Sequence, residues 1–319
     1  MTAAITFVTP RYGADVLGGA EAGARQLAIR LAAGGRQVAV ITSCAKSMQT
    51  WANEYPAGET IEDGVRVVRC PVDRQRAVGF DDSSDHVLPR AADVSIADAL
   101  EWIDQQGPTS AALLEAVSAV DSGVLVFYPY LYHPTVRGLG VASVPTILYP
   151  AAHRELPLQL PIFDQVFAGA GGIALQTRAE QALVHERFPA TITRPQALVG
   201  LPVEMPETPD PEAARAALGL GDEPFVVCLG RVDRGKGTHD LVERFVRFRE
   251  SRGSGRLVLA GPVAETPPSA AGVTCLGPIP DEHKFGLLAA ADVLINPSFY
   301  EAFSLVILEA WLAATPVLV

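Results

Sequence analysis

The stretch 225–248, FVVCLGRVDRGKGTHDLVERFVRF, decides the fold. Phe225–Leu229 is an apolar, β-branched run that reads as a buried strand. Gly230-Arg231 follows at once and Lys236-Gly237 comes just ahead of a helical pattern over His239–Arg252. A strand, a glycine-rich turn and a helix in that order open a parallel-sheet unit with a right-handed crossover. The turn also carries an arginine and a lysine at a helix start. There, peptide N–H groups and the positive end of the helix dipole attract an anion.

The alternation continues downstream. Arg256–Ala260, Val273–Leu276 and Val293–Asn296 read as strands, Glu282–Ala291 and Phe303–Ala313 as helices, and Val317–Val319 as the start of another strand. Upstream, Val199–Pro211 contains LPVEMPETPDP, whose prolines stiffen the chain as an interdomain linker would. Before it, Ile5–Thr9, Val38–Thr42, Val124–Tyr128, Thr146–Tyr149 and Ile173–Gln176 read as strands. Glu21–Ala33, closed by Gly34-Gly35, and Arg178–Phe188 read as helices. Ser43–Asp121 is less regular, with a strand at Val65–Arg69 and a helix around Val94–Gln105. The expected architecture is α/β: two Rossmann-like, doubly wound lobes over 1–200 and 201–319, with ligands at the carboxyl ends of the strands in a cleft between them. Pro316–Val319 opens a strand that nothing closes, so the second lobe is expected to be truncated at its C-terminus.

Composition narrows the function. With 319 residues, 49% hydrophobic and 19% charged, the chain can bury a core in each lobe. A net charge of −11 argues against bulk attraction to nucleic acid or anionic membrane. The arginines from Arg66 to Arg90 form a candidate basic patch whose plain reading is a solvated loop region. Cys44, Cys70, Cys228 and Cys275 are widely spaced and suggest neither a metal site nor a disulfide framework. No basic leader precedes Ile5–Val8 and no window supplies a spanning helix, so a cytoplasmic protein is expected.

Four features are candidates for chemistry. Gly230 to Lys236 matches the first seven positions of a nucleoside-triphosphate P-loop, but Gly237 stands where magnesium needs a hydroxyl, and Thr238 comes one residue late. Glu301 lies in a strand-to-helix loop and Glu309 eight residues on, roughly 12 Å along a helix, too wide for a hydrolytic carboxylate pair. Between them, the N–H groups around Phe303, Ser304 and Leu305 open the helix and can hold a phosphate. Gly18-Gly19-Ala20-Glu21 follows the first strand without forming a dinucleotide fingerprint, which disfavours a nicotinamide dehydrogenase. His153 follows the Thr146–Tyr149 strand, whereas His133 reads as an ordinary loop residue.

Taken together, Gly230-Arg231…Lys236-Gly237, Glu301-x7-Glu309 and Ala313-Ala314-Thr315-Pro316-Val317 resemble the retaining group 1 glycosyltransferases, whose fold is GT-B. The resemblance covers nearly the whole chain and is strongest from residue 225 onward. It implies that Arg231 and Lys236 contact the donor diphosphate with Ser304 and Leu305, and that Glu301 and Phe303 lie at the donor sugar, with Glu309 on the ribose. It implies a glycine loop at Gly18, Gly19 and Glu21 near the diphosphate and acceptor, and a catalytic role for His153 beside Glu301. It implies no cofactor and no metal. The partners it implies are a nucleotide-sugar donor and a sugar, lipid-linked or small-molecule acceptor, with no nucleic acid and at most peripheral contact with the inner face of the membrane. Ala314 departs from the glycine usual at that helix end.

The reaction so implied moves a hexose from a nucleoside diphosphate sugar to an acceptor hydroxyl with retention. Three other readings stay open: a GT-B epimerase or phosphorylase, a P-loop NTPase, and a non-catalytic nucleotide-sugar-binding fragment. One criterion is common to the whole assignment. Arg231 and Lys236 should face an anion and should not be paired off with acidic neighbours.

Overall fold

The structure is a computed structural model and describes residues 3–16, 18–203 and 208–319. The chain divides into two compact units, Met1–Pro202 and Val203–Val319. Part of the proline-rich segment, 204–207, lies outside the described residues.

The first unit is built on eight strands: β1 (Ile5–Val8), β2 (Val38–Ser43), β3 (Gly58–Glu62), β4 (Val65–Cys70), β5 (Val124–Phe127), β6 (Thr146–Leu148), β7 (Gly172–Leu175) and β8 (Gln196–Leu198). Their order is β3-β4-β2-β1-β5-β6-β7-β8, parallel except for the β3–β4 hairpin. Its helices are α1 (Gly19–Ala33), α2 (Phe80–Val87), α3 (Ile96–Gln106), α4 (Ala111–Ser118), α5 (His133–Gly138), α6 (Ile162–Gly169) and α7 (Arg178–Arg187). Central strands are apolar because helices cover both faces of a parallel sheet. Val8, Leu125, Phe127, Leu148 and Ile173 accordingly pack with Ile103, Leu113, Phe163 and Phe167 in one core. Each such side chain contributes about 1.5–3 kcal/mol on burial.

The second unit holds α8 (Pro211–Ala217), β9 (Val226–Leu229), α9 (Thr238–Arg252), β10 (Leu257–Ala260), β11 (Val273–Gly277), α10 (Asp281–Ala290), β12 (Val293–Ile295), α11 (Leu305–Leu312) and β13 (Val317–Leu318). The strand order is β11-β10-β9-β12-β13, all parallel. Phe225, Val227, Val258, Leu287, Leu288 and Leu294 form the core on one face, and Val242, Phe245 and Leu259 belong to a second cluster.

Both sheets reverse strand order at a central point, beside β1 and β5 in the first unit and beside β9 and β12 in the second. Loops after those strands cannot be covered by a crossover helix, which leaves a crevice for a ligand in each unit.

Several elements correct the sequence reading. His133 opens α5 instead of lying in a loop, and is buried. β3 is an exposed edge strand, GETIE, whose polar composition conceals it from hydrophobic patterning. The irregular stretch also holds α2 and α4, the latter capped by Ser110, whose hydroxyl accepts from Leu113 N. The last helix begins at Leu305, two residues later than expected, with Ser304 in extended conformation as its cap.

Candidate functional site

In the second unit the loops after β9 and β12 meet. Gly237, the residue before α9, adopts a left-handed conformation with φ 73°. A Cβ there would lie 2.6 Å from the Pro297 carbonyl, so only glycine allows the two loops to approach so closely. That approach brings Lys236 Nζ to 2.8 Å from Glu301 Oε1, with both side chains about one-third exposed. Beside them, the N–H groups of Phe303, Ser304 and Leu305 have no hydrogen-bond partner among the described residues. Asn296 Nδ2 donates to Ser304 Oγ at 3.1 Å and so holds the start of α11 against the end of β12. A cation, a carboxylate and three open amides therefore share one strand-end crevice.

The expected pair of cations uncommitted to acidic neighbours is not what the structure shows. Arg231 forms an ion pair with Asp233, and Lys236 is bonded to Glu301. Sequence spacing does not reveal such pairing, because Glu301 is 65 residues from Lys236 along the chain. The turn before α9 is also less open than expected. Lys236 N donates to Asp233 Oδ1, Gly237 N to the Arg234 carbonyl and Thr238 N to the Asp233 carbonyl. Amides for an anion are therefore found at α11 and less at the start of α9. The Thr238 hydroxyl is buried and donates to the Asp233 carbonyl at 2.8 Å. It is not placed to bind magnesium, which removes the support for a P-loop.

Glu309 is neither exposed nor alone. It is 7% exposed, and Lys284 of α10 donates to its Oε1 at 2.8 Å. The pairing lets a carboxylate be buried on α11 at tolerable cost.

In the first unit, the loops after β1, β2, β5 and β6 converge. Arg11, buried after β1, donates to Glu21 Oε1 from Nε at 3.0 Å and to the Lys46 carbonyl at 2.6 Å. A side chain at Gly18 would collide with the Glu21 carboxylate, and Gly19 begins α1. Tyr132, after β5, stacks edge-on against Trp51 with ring centroids 5.4 Å apart. Burial pushes its hydroxyl up to about 12, and the Glu21 and Glu155 carboxylates act in the same direction, so it stays protonated. His153 Nε2 lies 3.8 Å from Glu155 Oε1, and Tyr130 donates to that same oxygen at 2.7 Å. Burial raises the Glu155 carboxyl, and His153 opposes it.

The His153 loop is anchored by Glu180. This buried carboxylate accepts from Ala152 N at 2.6 Å and Gln176 N at 2.5 Å, while Thr177 caps α7 by accepting from Glu180 N. Ala151 has φ 54°, a strained conformation that the Ala152 bond holds in place. Burial raises Glu180 to about 7 despite the amides that favour its charge.

Residues 223–319 match the family model for glycosyl transferases group 1. The match lies within the second unit. A D-inositol 3-phosphate glycosyltransferase from Nocardia farcinica is 34% identical over 126 residues, covering 34% of this chain and 28% of that protein's length. Among solved structures, sucrose-phosphate synthase from Thermosynechococcus elongatus aligns with TM-score 0.66 at 19% identity, covering 98% of this chain and 80% of the other. A trehalose-6-phosphate synthase, OtsA, aligns with TM-score 0.68 at 13% identity over 98% and 82%. The Anabaena protein HepE, in complex with UDP and glucose, aligns with TM-score 0.59 at 16% identity over 99% and 80%. The two Rossmann-like units are thus those of the GT-B fold.

Within the second unit the motif residues fall into two local sets: Arg231, Lys236, Glu301 and the 303–305 amides around the β9 and β12 ends, and Glu309 with Lys284. Gly18, Gly19, Glu21 and His153 belong to the first unit. Lys284, Asp233, Arg11, Tyr132 and Glu180 were missed. Lys284 sits in the first turn of α10, where a polar run reads as a solvated face. Glu180 had a local signal, since Thr177-x-x-Glu180 is a capping box.

Proposed function

We propose that the protein is a retaining glycosyltransferase that moves a hexose from a nucleoside diphosphate sugar to an acceptor hydroxyl. The second unit takes the donor and the first takes the acceptor. The observation that carries this reading is the Lys236–Glu301 contact beside the partnerless 303–305 amides, where the second sheet reverses its order. An ammonium has three donors, so Lys236 can keep Glu301 and still bind a phosphate oxygen. The amides of Phe303, Ser304 and Leu305 then meet the charge that develops on the departing diphosphate, and fixed donors of this kind lower the barrier most. Arg231 adds a second cation at the same turn through a guanidinium oriented by Asp233.

In this scheme the second oxygen of Glu301 accepts from a donor-sugar hydroxyl, and Glu309, fixed by Lys284, accepts from the ribose. Retention follows if the acceptor hydroxyl attacks the face from which the diphosphate leaves. His153, on the loop anchored by Glu180, is the catalytic histidine of the acceptor side in this scheme. The cations and the helix dipole take the part a metal would play, so none is required. The named relatives support the reading: one is a glycosyltransferase, two are sugar-phosphate synthases and one was solved with UDP and glucose. The acceptor is a sugar, a lipid-linked group or a small molecule, met in the cytoplasm or at the inner face of the membrane.

Calorimetric titration with nucleoside diphosphates tests the donor assignment. Lys236→Ala should weaken binding by about 1.5–3 kcal/mol, the range of a hydrogen bond to a charged group. Glu301→Ala should reduce sugar transfer more than binding of the bare diphosphate. Unchanged binding in Lys236→Ala would remove the phosphate assignment, and equal losses in Glu301→Ala would take that residue out of the sugar site.

A further inference from the structure

Glu180 stands in the first turn of α7 and is 2% exposed, yet its carboxyl group serves two loops as well as its own helix. Thr177 caps α7, its hydroxyl accepting from Glu180 N at 3.0 Å. The Glu180 side chain then reaches back past the cap. Oε2 accepts from Gln176 N at 2.5 Å in the loop after β7, and Oε1 accepts from Ala152 N at 2.6 Å in the loop after β6. The first bond joins residues four apart in the chain, the second residues 28 apart. Ala152 is buried, and Ala151 beside it has φ 54°. A residue with a Cβ enters that region only when its surroundings hold it there. His153 comes next, with Nε2 3.8 Å from Glu155 Oε1. The Ala152–Glu180 bond thus fixes a strained backbone directly before an imidazole.

This arrangement depends on ionisation. A carboxylate accepts at both oxygens, whereas a carboxylic acid commits one of them to a proton. Two peptide N–H groups aimed at two oxygens therefore suit the charged form. The influences on Glu180 are burial, which raises its pKa, and the peptide N–H groups of Gln176, Ala152 and Thr177, which lower it. Together they leave it at about 7, so both forms are populated near neutrality. The titratable groups that feel its charge are Tyr149, after β6, and Tyr128, after β5, and burial keeps both protonated. Gln176 Nε2 donates to the Tyr128 hydroxyl at 3.1 Å, which holds the loop after β7 from its other side. Arg178, on the same helix as Glu180, is exposed. Glu155, on the loop itself, accepts from the Tyr130 hydroxyl at 2.7 Å.

We propose that Glu180 is a positioning residue that works as a proton-sensitive clasp on the His153 loop. Ionised, it ties the loop after β6 to the start of α7 and sets His153 in place. On taking a proton from solvent it releases Ala152 N, and the strained Ala151 relaxes with its loop. The Ala152 bond is the one that yields, because the short chain to α7 tethers Gln176 and nothing comparable tethers Ala152. That the loop's position governs a reaction rests on the glycosyltransferase reading; the clasp itself does not.

Hydrogen exchange of the full chain, read by mass spectrometry at pH 8 and pH 6 and corrected for the intrinsic pH dependence of exchange, tests the clasp. In the parent, peptides covering 150–156 should lose protection by about tenfold at the lower pH, as the protonated fraction rises. Peptides over β1 and β9 should keep theirs. Glu180→Gln should be poorly protected at both pH values, since its side chain offers one acceptor oxygen to two N–H groups. Stability gives a second readout. The native carboxyl takes its proton near pH 7 and the unfolded one near 4.5. The parent should therefore gain on Glu180→Gln as pH falls from 7 toward 4.5, by about tenfold in folding equilibrium constant per pH unit. Turnover of UDP-, GDP- and ADP-glucose is followed over the same range. In the parent kcat should fall on the acid side of pH 7, Glu180→Gln should lack that limb, and nucleoside diphosphate affinity should be the same in both. Equal protection of 150–156 at the two pH values in the parent overturns the clasp, and that measurement needs no variant to fold. Parent-like protection of Glu180→Gln at pH 8 overturns it too. A pH-dependent loop with a flat kcat profile overturns the positioning role. Turnover of none of the three donors would count against the glycosyltransferase reading and leave the clasp standing on exchange.

Discussion

His133 shows at the scale of a single side chain how burial sets chemistry. Its imidazole is buried at the start of α5, Nδ1 has no partner, and Nε2 lies 3.8 Å from Asp104. Burial lowers its pKa to about 4, with Asp104 opposing. The unfolded chain takes up this proton near pH 6.5, the native protein only near pH 4. Stability from this group is therefore complete above pH 6.5 and is lost as pH falls toward 4, by roughly 3 kcal/mol in all. Denaturant midpoints at several pH values should show a shallower acid limb in His133→Gln; an identical limb would contradict the assignment. The sequence offered His133 as a loop residue and His153 as the better functional candidate. Nothing in a linear pattern reports that one imidazole is buried and the other lies beside Glu155. Lys236 and Glu301 were legible as types of residue at strand ends, but their mutual contact was not.

At the scale of elements, α11 is the most instructive. It closes at Ala313, and Ala314 then takes φ 58°, with Thr315 N donating to the Ala310 carbonyl at 2.8 Å in a Schellman-type ending. Glycine is the residue suited to that conformation, and alanine there carries the Cβ penalty. Ala314→Gly should raise unfolding stability by about 0.5–1 kcal/mol. Chemical denaturation reads this directly, and a loss of stability would mean that the backbone relaxes away from the left-handed state. The strands of both sheets were legible because central parallel strands are continuous apolar runs. β3 was not, since an exposed edge strand needs no apolar face. Gly237 was legible as a turn glycine, whereas its second duty, admitting the Pro297 backbone, depends on a loop 60 residues away.

Across the whole molecule, two α/β units each place a crevice where strand order reverses, and among the described residues no helix is long and apolar enough to cross a membrane. The repeated alternation of strand and helix carried that architecture in plain view. That the loops after β9 and β12 carry the candidate site was legible from Gly230-Arg231, Lys236 and Glu301. The convergence of Arg11, Trp51 and Tyr132 in the first unit was not, because these residues are scattered along the chain. Their neighbourhood is set by sheet order, and spacing does not encode it. The net charge of −11 coexists with local cations such as Arg231 and Lys236, each set beside a carboxylate.

The central claim is that a nucleoside diphosphate lies at the β9 and β12 ends of the second unit. Hydrogen exchange read by mass spectrometry, with and without saturating nucleoside diphosphate, tests it most directly. The amides of 303–305 have no partner among the described residues and should exchange fast alone. On binding, peptides covering 296–310 and 229–240 should become protected together. Protection confined to the first unit, or none at 303–305, would contradict the account.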